Sequence, residues 1–412
     1  MSIATASVAA LAVLALAVSV TGPTDEIQPP AADSGTSHVV AADGSGQFGT
    51  ISEAVEAAAD GDTILVKPGT YSEAIVIDKD ITLMGDGPRE EIVLTVDEGS
   101  IMELRDSDAT LTGFTFTGPT SDGVIVSGGS PALEGLVFRE VGMPYEGGSE
   151  CSRPCDSLSI IDGSTATVRG NTFIDGGSLN AGGGAAPRIE GNELTGGPYI
   201  PLSDVGEGTI VRRNTVSAAH REGIGIYRRT TALIEGNMIT GAGSNGITVG
   251  FVESGVDPVI RGNTVSGSQT GISVALHAAP TIEGNTIVDN RTGIAAGDAP
   301  GTAIIDNQLT DNQVGITIEG SAGSVTGNTV RGGSVGILIS GLLDPNAESP
   351  RLIDNLIEGA SDRGLVIGAR SSPKLSGNRV CDNSTNLVVH DDATPDIDDT
   401  NEICEVALAE AE

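Results

Sequence analysis

Residues 280–297 read PTIEGNTIVDNRTGIAAG, and the parts of this stretch return along most of the chain. An Asn, usually after Gly, is followed two positions on by an apolar residue, and a Gly-Ile pair comes further downstream. The Asn falls at Asn171, Asn192, Asn214, Asn237, Asn263, Asn285, Asn307, Asn328, Asn355 and Asn378, at spacings of 21 to 27 residues. Leu136, Phe114 and Asp86 take the same slot upstream and Thr400 takes it downstream, which gives about fourteen repeats. A fixed period of this length marks stacked supersecondary units.

The columns around the slot define the unit. Three residues before it stand Val168, Ile189, Val211, Ile234, Ile260 and their successors; two after it stand Phe173, Leu194, Val216, Ile239 and Val265. The third apolar element is the Gly-Ile pair, as in Gly223-Ile224, Gly271-Ile272 and Gly315-Ile316. Each repeat therefore holds three short alternating segments separated by Gly, Asn or Pro. About 22 residues are too few for a strand with a crossover helix but enough for one three-sided coil. Coils stacked ~4.8 Å apart build an all-β, single-stranded parallel β-helix roughly 60 Å long. The recurrent Asn suits a turn with positive φ, and stacked Asn side chains can bond as a ladder.

Two residues before the slot, Arg169, Glu190, Arg212, Glu235, Arg261 and Glu283 alternate in sign through six coils. In-register stacking sets each beside its opposite. The open ends need covers. TISEAVEAAADG (50–61) predicts an N-terminal capping α-helix: Thr50 and Glu53 form a capping box, Ile51, Ala54, Val55 and Ala58 share a face, and Gly61 stops it. The expected division is an export segment or membrane anchor at 1–22, a linker at 23–37, the cap at 38–63, the β-helix at 64–404 and an acidic tail at 405–412.

The balance of charge limits the partners. Net charge is −35, with 18 Arg and three Lys, a field that repels nucleic acid and anionic membranes. Four cysteines with no His beside them predict disulfides, Cys151–Cys155 and Cys381–Cys404, in an oxidising, extracytoplasmic compartment. The four His are scattered, so no metal centre is expected; acidic loops such as 391–399 leave calcium as the only cofactor to consider.

From Val39 to Gly87 the chain resembles the amino-terminal part of pectin methylesterases, including the pattern Gly69-Thr70-Tyr71-Ser72-Glu73. The later repeats resemble the wider pectin-lyase-like superfamily and the periplasmic β-helix repeat proteins that accompany copper enzymes. The resemblance implies a right-handed coil and a carbohydrate ligand lying on the Gly-Ile sheet. Methylesterase motifs of the types QAVAL, QDTL, DFIFG and LGRPW are mostly absent. SDGVIV (121–126) lacks the Gln, Cys155-Asp156-Ser157-Leu158 keeps only Asp156 as a match to the family's acid/base Asp, and GGSLNAGG (176–183) offers no carboxylate. One carboxylate of two excludes methylesterase chemistry as that family runs it. The D-P-H triplet of alginate-epimerase-like enzymes is missing as well.

The exceptions to the repeat hold the candidate site. Residues 139–155 form the longest insertion, an expected wall of that site. Arg212, Arg213, Arg221, Arg228 and Arg229 crowd into 18 positions, with His220 and Tyr227 among them and Tyr199 and Asp204 one coil earlier. Cations beside tyrosines suit a carboxylated or sulfated sugar; the plainer alternative is that these Arg neutralise Glu222, Asp204 and other nearby acids. The outward residues of other Gly-Ile strands are small, namely Thr248, Ser273, Ala295 and Thr317. The expected function is a secreted or cell-surface monomer that binds polysaccharide. A lyase or hydrolase using Asp156, Asp204 or a clustered Arg is the alternative, and a structural or adhesive stalk is the third.

Overall fold

The computed structural model describes residues 35–118, 122–142, 156–252, 257–320, 323–342, 349–404 and 406–408. Cys151 and Cys155, most of the 139–155 insertion and the segment 1–34 lie outside these residues. From Gly35 onward the chain winds into a right-handed parallel β-solenoid of about 15 turns with three sheets. Sheet 1 has 16 strands, from Ser37–Val40 to Asp396–Ile397. Sheet 2 has 15, from Gly69–Ser72 to Glu402–Ile403, and sheet 3 has 15, from Ile75–Ile77 to Val406–Leu408.

Each repeat gives one short strand to each sheet because its apolar residues alternate with polar ones and turn residues cut them into runs of two to eight. The inward columns are apolar, mostly aliphatic, and buried. Val168, Ile189 and Val211 stack in sheet 1, Phe173, Leu194 and Val216 in sheet 2, and Ile224, Ile247 and Ile272 in sheet 3. Phe116, Phe138 and Phe173 stack in successive coils with ring centroids 4.9 and 4.6 Å apart. That spacing follows the rise of the strands that carry them.

The Asn slot is a buried ladder. Asn285 Nδ2 donates to Asn307 Oδ1 at 2.9 Å and to Ile260 O at 2.9 Å, while its Oδ1 accepts from the N–H and Nδ2 of Asn263. The same four contacts recur along the stack, so every buried amide is satisfied by its neighbours. Positive φ belongs to the residue before the Asn: Gly284 has φ 61° and Asp306 φ 52°. The ladder ends on Asn401, since Asn378 Nδ2 donates to Asn401 Oδ1 at 2.8 Å; Thr400 stands beside the slot and not in it. At the other end Asp86 is exposed, and an inserted 3₁₀ turn, Arg89–Glu91, leaves the buried Ile92, first residue of its sheet 2 strand, level with Phe114.

A second, shorter ladder runs five residues beyond the first. Ser268 N donates to Asn290 Oδ1, and Asn290 N and Nδ2 donate to Asn312 Oδ1, all within 3.0 Å. The charge column keeps the expected register from Arg169 to Glu283. Arg212 reaches Glu190 at 2.9 Å and Arg261 reaches Glu235 at 2.7 Å, whereas Arg169 turns to Glu134 one coil earlier.

The single α-helix among the described residues, Ile51–Ala57, buries Ile51, Ala54 and Val55 and lies against strands Ser37–Val40, Thr63–Val66 and Ile75–Ile77. Thr50 Oγ1 accepts from Glu53 N at 3.2 Å. Glu73 of the Gly-x-Tyr-x-Glu stretch adds its carboxylate to the same end, accepting from Ile51 N and Ser52 N at 2.8 and 2.9 Å. The helix stops four residues before Gly61. Lys79 Nζ, not a glycine turn, takes the carbonyls of Val55, Glu56 and Ala58 at 2.7–3.0 Å, where a cation suits the helix dipole. At the far end Cys381 and Cys404 are joined one coil apart, with Cα atoms 5.2 Å from each other.

Candidate functional site

Outward columns on sheet 3 decide what a ligand would meet. In register run Gly225, Thr248, Ser273, Ala295 and Thr317, a flat track of small residues. Before Gly225 the partners are larger and more polar: Ser159 beside Asn180, and Pro201 beside Gly225. A register shift between Asp156 and Leu158 inserts Ser157, whose hydroxyl is tied to Val141 O and Gly177 O at 2.7 and 3.1 Å. Bulges of this kind re-aim the neighbouring side chain. Here that neighbour is Asp156.

Asp156 is buried and accepts a hydrogen bond from Ser178 Oγ, its partner on the next coil. Its backbone N–H donates to Asp122 Oδ1 at 3.2 Å. Burial drives the Asp156 carboxyl up to about 7; the charge of Asp122 adds to the rise, and hydrogen bonds from Ser178 and Asn180 oppose it. Near neutral pH this group can both hold and release a proton.

A second set of side chains lies at the start of strand Ile224–Arg228. Arg221 stacks its guanidinium 5.9 Å from the centre of the Tyr199 ring, and its Nε stands 3.8 Å from Glu222 Oε2. Glu222 is buried and accepts from the Tyr227 hydroxyl at 2.6 Å. Gly225 makes this possible. A Cβ there would lie 2.5 Å from the Tyr227 ring and 3.0 Å from Glu222 Oε1, so only glycine lets the ring fold back over its own strand. Burial raises both phenols, Tyr227 further because it donates to the Glu222 carboxylate. Leu179 N donates to Tyr199 O at 3.0 Å, which sets Tyr199 on the coil next to Ser178.

The remaining sequence candidates group elsewhere. Arg228 and Arg229 both turn to Asp204, at 3.6 and 3.3 Å, and form a separate ion-paired rim at the other end of the strand. Asp204 sits in a turn with φ 56° and takes both of these ion pairs. His220 is exposed, with its ring against Gly197. Ser178, Asn180 and Glu222 complete the constellation, and none was a candidate from the sequence. Among the described residues one group of His, Cys, Asp and Glu side chains is close enough to hold a metal ion, Cys381, Glu402 and Cys404, and its two thiols are spent in the disulfide.

The family model for the right handed beta helix region matches residues 99–249 and 200–345, and the pectinesterase model matches residues 37–124. No curated protein matches the chain in sequence. Among solved structures the chain is similar to the catalytic domain of a GH87 α-1,3-glucanase bound to tetrasaccharides, at 12% identity and TM-score 0.51, over 89% of this chain and 69% of that one. It is also similar to the Azotobacter vinelandii mannuronan C-5 epimerase AlgE6 A-module, at 15% identity and TM-score 0.41 over 88% and 94% of the two chains. For the periplasmic alginate epimerase AlgG the values are 16% and 0.37, over 85% and 77%. At these identities the likeness is one of fold alone.

Proposed function

With the chain a member of the right-handed β-helix family, we propose that it binds an acidic polysaccharide on the outer face of sheet 3, across the coils that carry Asp156, Tyr199 and Arg221. One observation carries this reading: Ser178, Asn180, Tyr199, Arg221, Glu222 and Tyr227 gather on a face that the next coils, from Thr248 to Thr317, line with small residues. Aromatic rings offer area to sugar rings, and Arg221 offers charge to a carboxylate or sulfate. Arg228 and Arg229 form the rim of the same face. The expected setting is secreted or cell-surface; among the described residues no helix is long and apolar enough to cross a membrane. The helix Ile51–Ala57 is read as the cover of the first coil, which its buried Ile51, Ala54 and Val55 support.

A second reading, acid–base processing of the bound glycan, is favoured by the Asp156 carboxyl near 7, the range a proton-transferring group needs. A polysaccharide array read at once for retention and for newly released reducing or unsaturated ends separates the two. Retention of acidic glycans with no new ends is the expected result. Retention with new ends selects processing, and no retention of any glycan contradicts both.

A further inference from the structure

Where two charged residues meet as register partners on successive coils of the described strands, their signs are as a rule opposite. It holds from Arg169 to Glu283 on sheet 1, and Arg331 pairs with Glu358 and Arg379 with Glu402 on sheet 2. One register pair breaks it. Arg351 and Lys374 are direct partners in sheet 1, both exposed, and neither side chain makes an ion pair or hydrogen bond among the described residues. Asp396 follows Lys374 in the column but does not reach it as an ion pair. Like charges one coil apart, at ~4.8 Å, repel and weaken the stack. In a chain of net charge −35, with 56 acidic residues, two like charges in register with no carboxylate partner among the described residues depart from that pattern.

The same pair lines a groove of about 740 Å³ together with Ser349, Ile353, Ser376 and Asp396. Its chemistry is mixed. Two cations stand at one point, serine hydroxyls flank them, the half-buried Ile353 supplies an apolar patch, and the carboxylates of Asp396 and Asp398 lie at the C-terminal side. A polyphosphate or nucleic acid would set phosphates against those carboxylates and against the field of the whole protein. A single anionic group carried on a hydroxylated ring fits better: its charge relieves the Arg351–Lys374 repulsion, and its hydroxyls donate to Asp396 and Asp398.

We propose that this groove on sheet 1 is a second glycan site, separate from the face of sheet 3, that takes one carboxylated or sulfated sugar residue through Arg351 and Lys374. It stands on its own residues and does not need the sheet 3 reading to hold. Isothermal titration with a galacturonate tetramer, a sulfated galactose tetramer and a neutral galactose tetramer tests it on three proteins: the full chain, R351Q/K374Q and R221A/R228A. The expected result is that R351Q/K374Q weakens binding of an acidic tetramer at one site at least tenfold, while R221A/R228A keeps that site. The acidic probe that is retained tells carboxylate from sulfate recognition, and the neutral tetramer should not distinguish the proteins. Binding of all acidic probes unchanged in R351Q/K374Q overturns the proposal, whatever R221A/R228A does; loss confined to R351Q/K374Q supports it and counts against the sheet 3 reading. The thermal midpoint is the second readout. Removing a repulsive pair should leave it equal or higher, and a clear fall would make the pair structural and overturn the proposal.

Discussion

Coils 257–320 and coils 156–230 share one interior and differ in where they bury polar groups. In the first region the buried polar side chains are neutral, amides and hydroxyls, and the Asn amides bond from coil to coil. In the second, the same Asn ladder runs through the inside, and sheet 3 adds carboxylates, Asp156 and Glu222, buried from the outside. A neutral, reciprocal amide stabilises a stack at any pH. A buried carboxyl is favourable in one protonation state only, so its contribution to stability changes with pH. The comparison separates scaffold from site without reference to any relative.

The largest expected effect lies in the scaffold. Asn285→Ala strands the amide N–H and Nδ2 of Asn263 and removes two donated bonds, and should destabilise by about 3–5 kcal/mol in urea unfolding. Ser273→Ala, on the outer track of the same region, should change it by less than about 0.5 kcal/mol. Equal effects would break the distinction between the inner and outer columns. Next in size, Cys381→Ser with Cys404→Ser should remove about 2–4 kcal/mol from the last coil only. Hydrogen exchange should then quicken at residues 385–403 and stay slow at residues 257–320, as nearest-neighbour stacking requires.

A smaller effect sharpens the site half of the comparison. With its carboxyl at about 7 in the fold against an ordinary 3.8, Asp156 keeps a proton that the unfolded chain releases between about pH 4 and 7. The unfolded state then binds fewer protons, so stability falls as pH rises through that window and levels off above it. Asp156→Asn should remove that fall and leave the protein more stable than wild type at pH 7.5 in denaturant titrations. An unchanged pH profile would mean that Asp156 is not the buried acid described here. Asn285→Ala, for all its cost, should leave the shape of the profile alone.

Much of the scaffold was legible because a period of about 22 residues turns stacking into columns that can be read down the page. The Asn and Gly-Ile columns, the alternating charges and the Cys381–Cys404 staple all follow from that alignment. Features that depend on a shift of register were lost. Thr400 was one position off because the last coil ends on Asn401, and Asp86 was displaced by the 3₁₀ insertion before Ile92. The second ladder was visible as Asp-Asn at 289–290 and 311–312, yet a single-slot alignment passes over it. Positive φ went to the Asn, although the Gly or Asp before it makes the turn. Glu73 and Lys79 act on a helix more than twenty residues away, a contact that no local pattern encodes.

The site was legible as a place more than as a constellation. Asp156 stood out by its match to a family motif, and Tyr199, Arg221 and Tyr227 as a cluster of cations and tyrosines, but their partners did not. Ser178 and Asn180 matter because the bulge at Asp156–Leu158 turns the carboxyl toward them. Glu222 looked like one more acid in an acidic chain, and its burial under Tyr227 depends on the missing side chain at Gly225. Ion pairing also divided the arginines: Arg212 serves the charge ladder, Arg228 and Arg229 share Asp204, and Arg221 alone stacks on an aromatic ring.

That division supplies the most direct test of the central claim, the affinity of an acidic glycan for Arg221→Ala/Arg228→Ala set against Arg212→Ala. Arg212 faces the ladder on sheet 1, so its loss changes bulk charge without touching the face of sheet 3. The prediction is a loss of at least tenfold in the double variant and less than twofold in Arg212→Ala. The interaction should weaken steeply as salt rises and the screening length shortens toward about 8 Å at physiological ionic strength. An equal loss per charge removed in the two proteins would mean that the glycan feels only overall charge, and the site on sheet 3 would be contradicted.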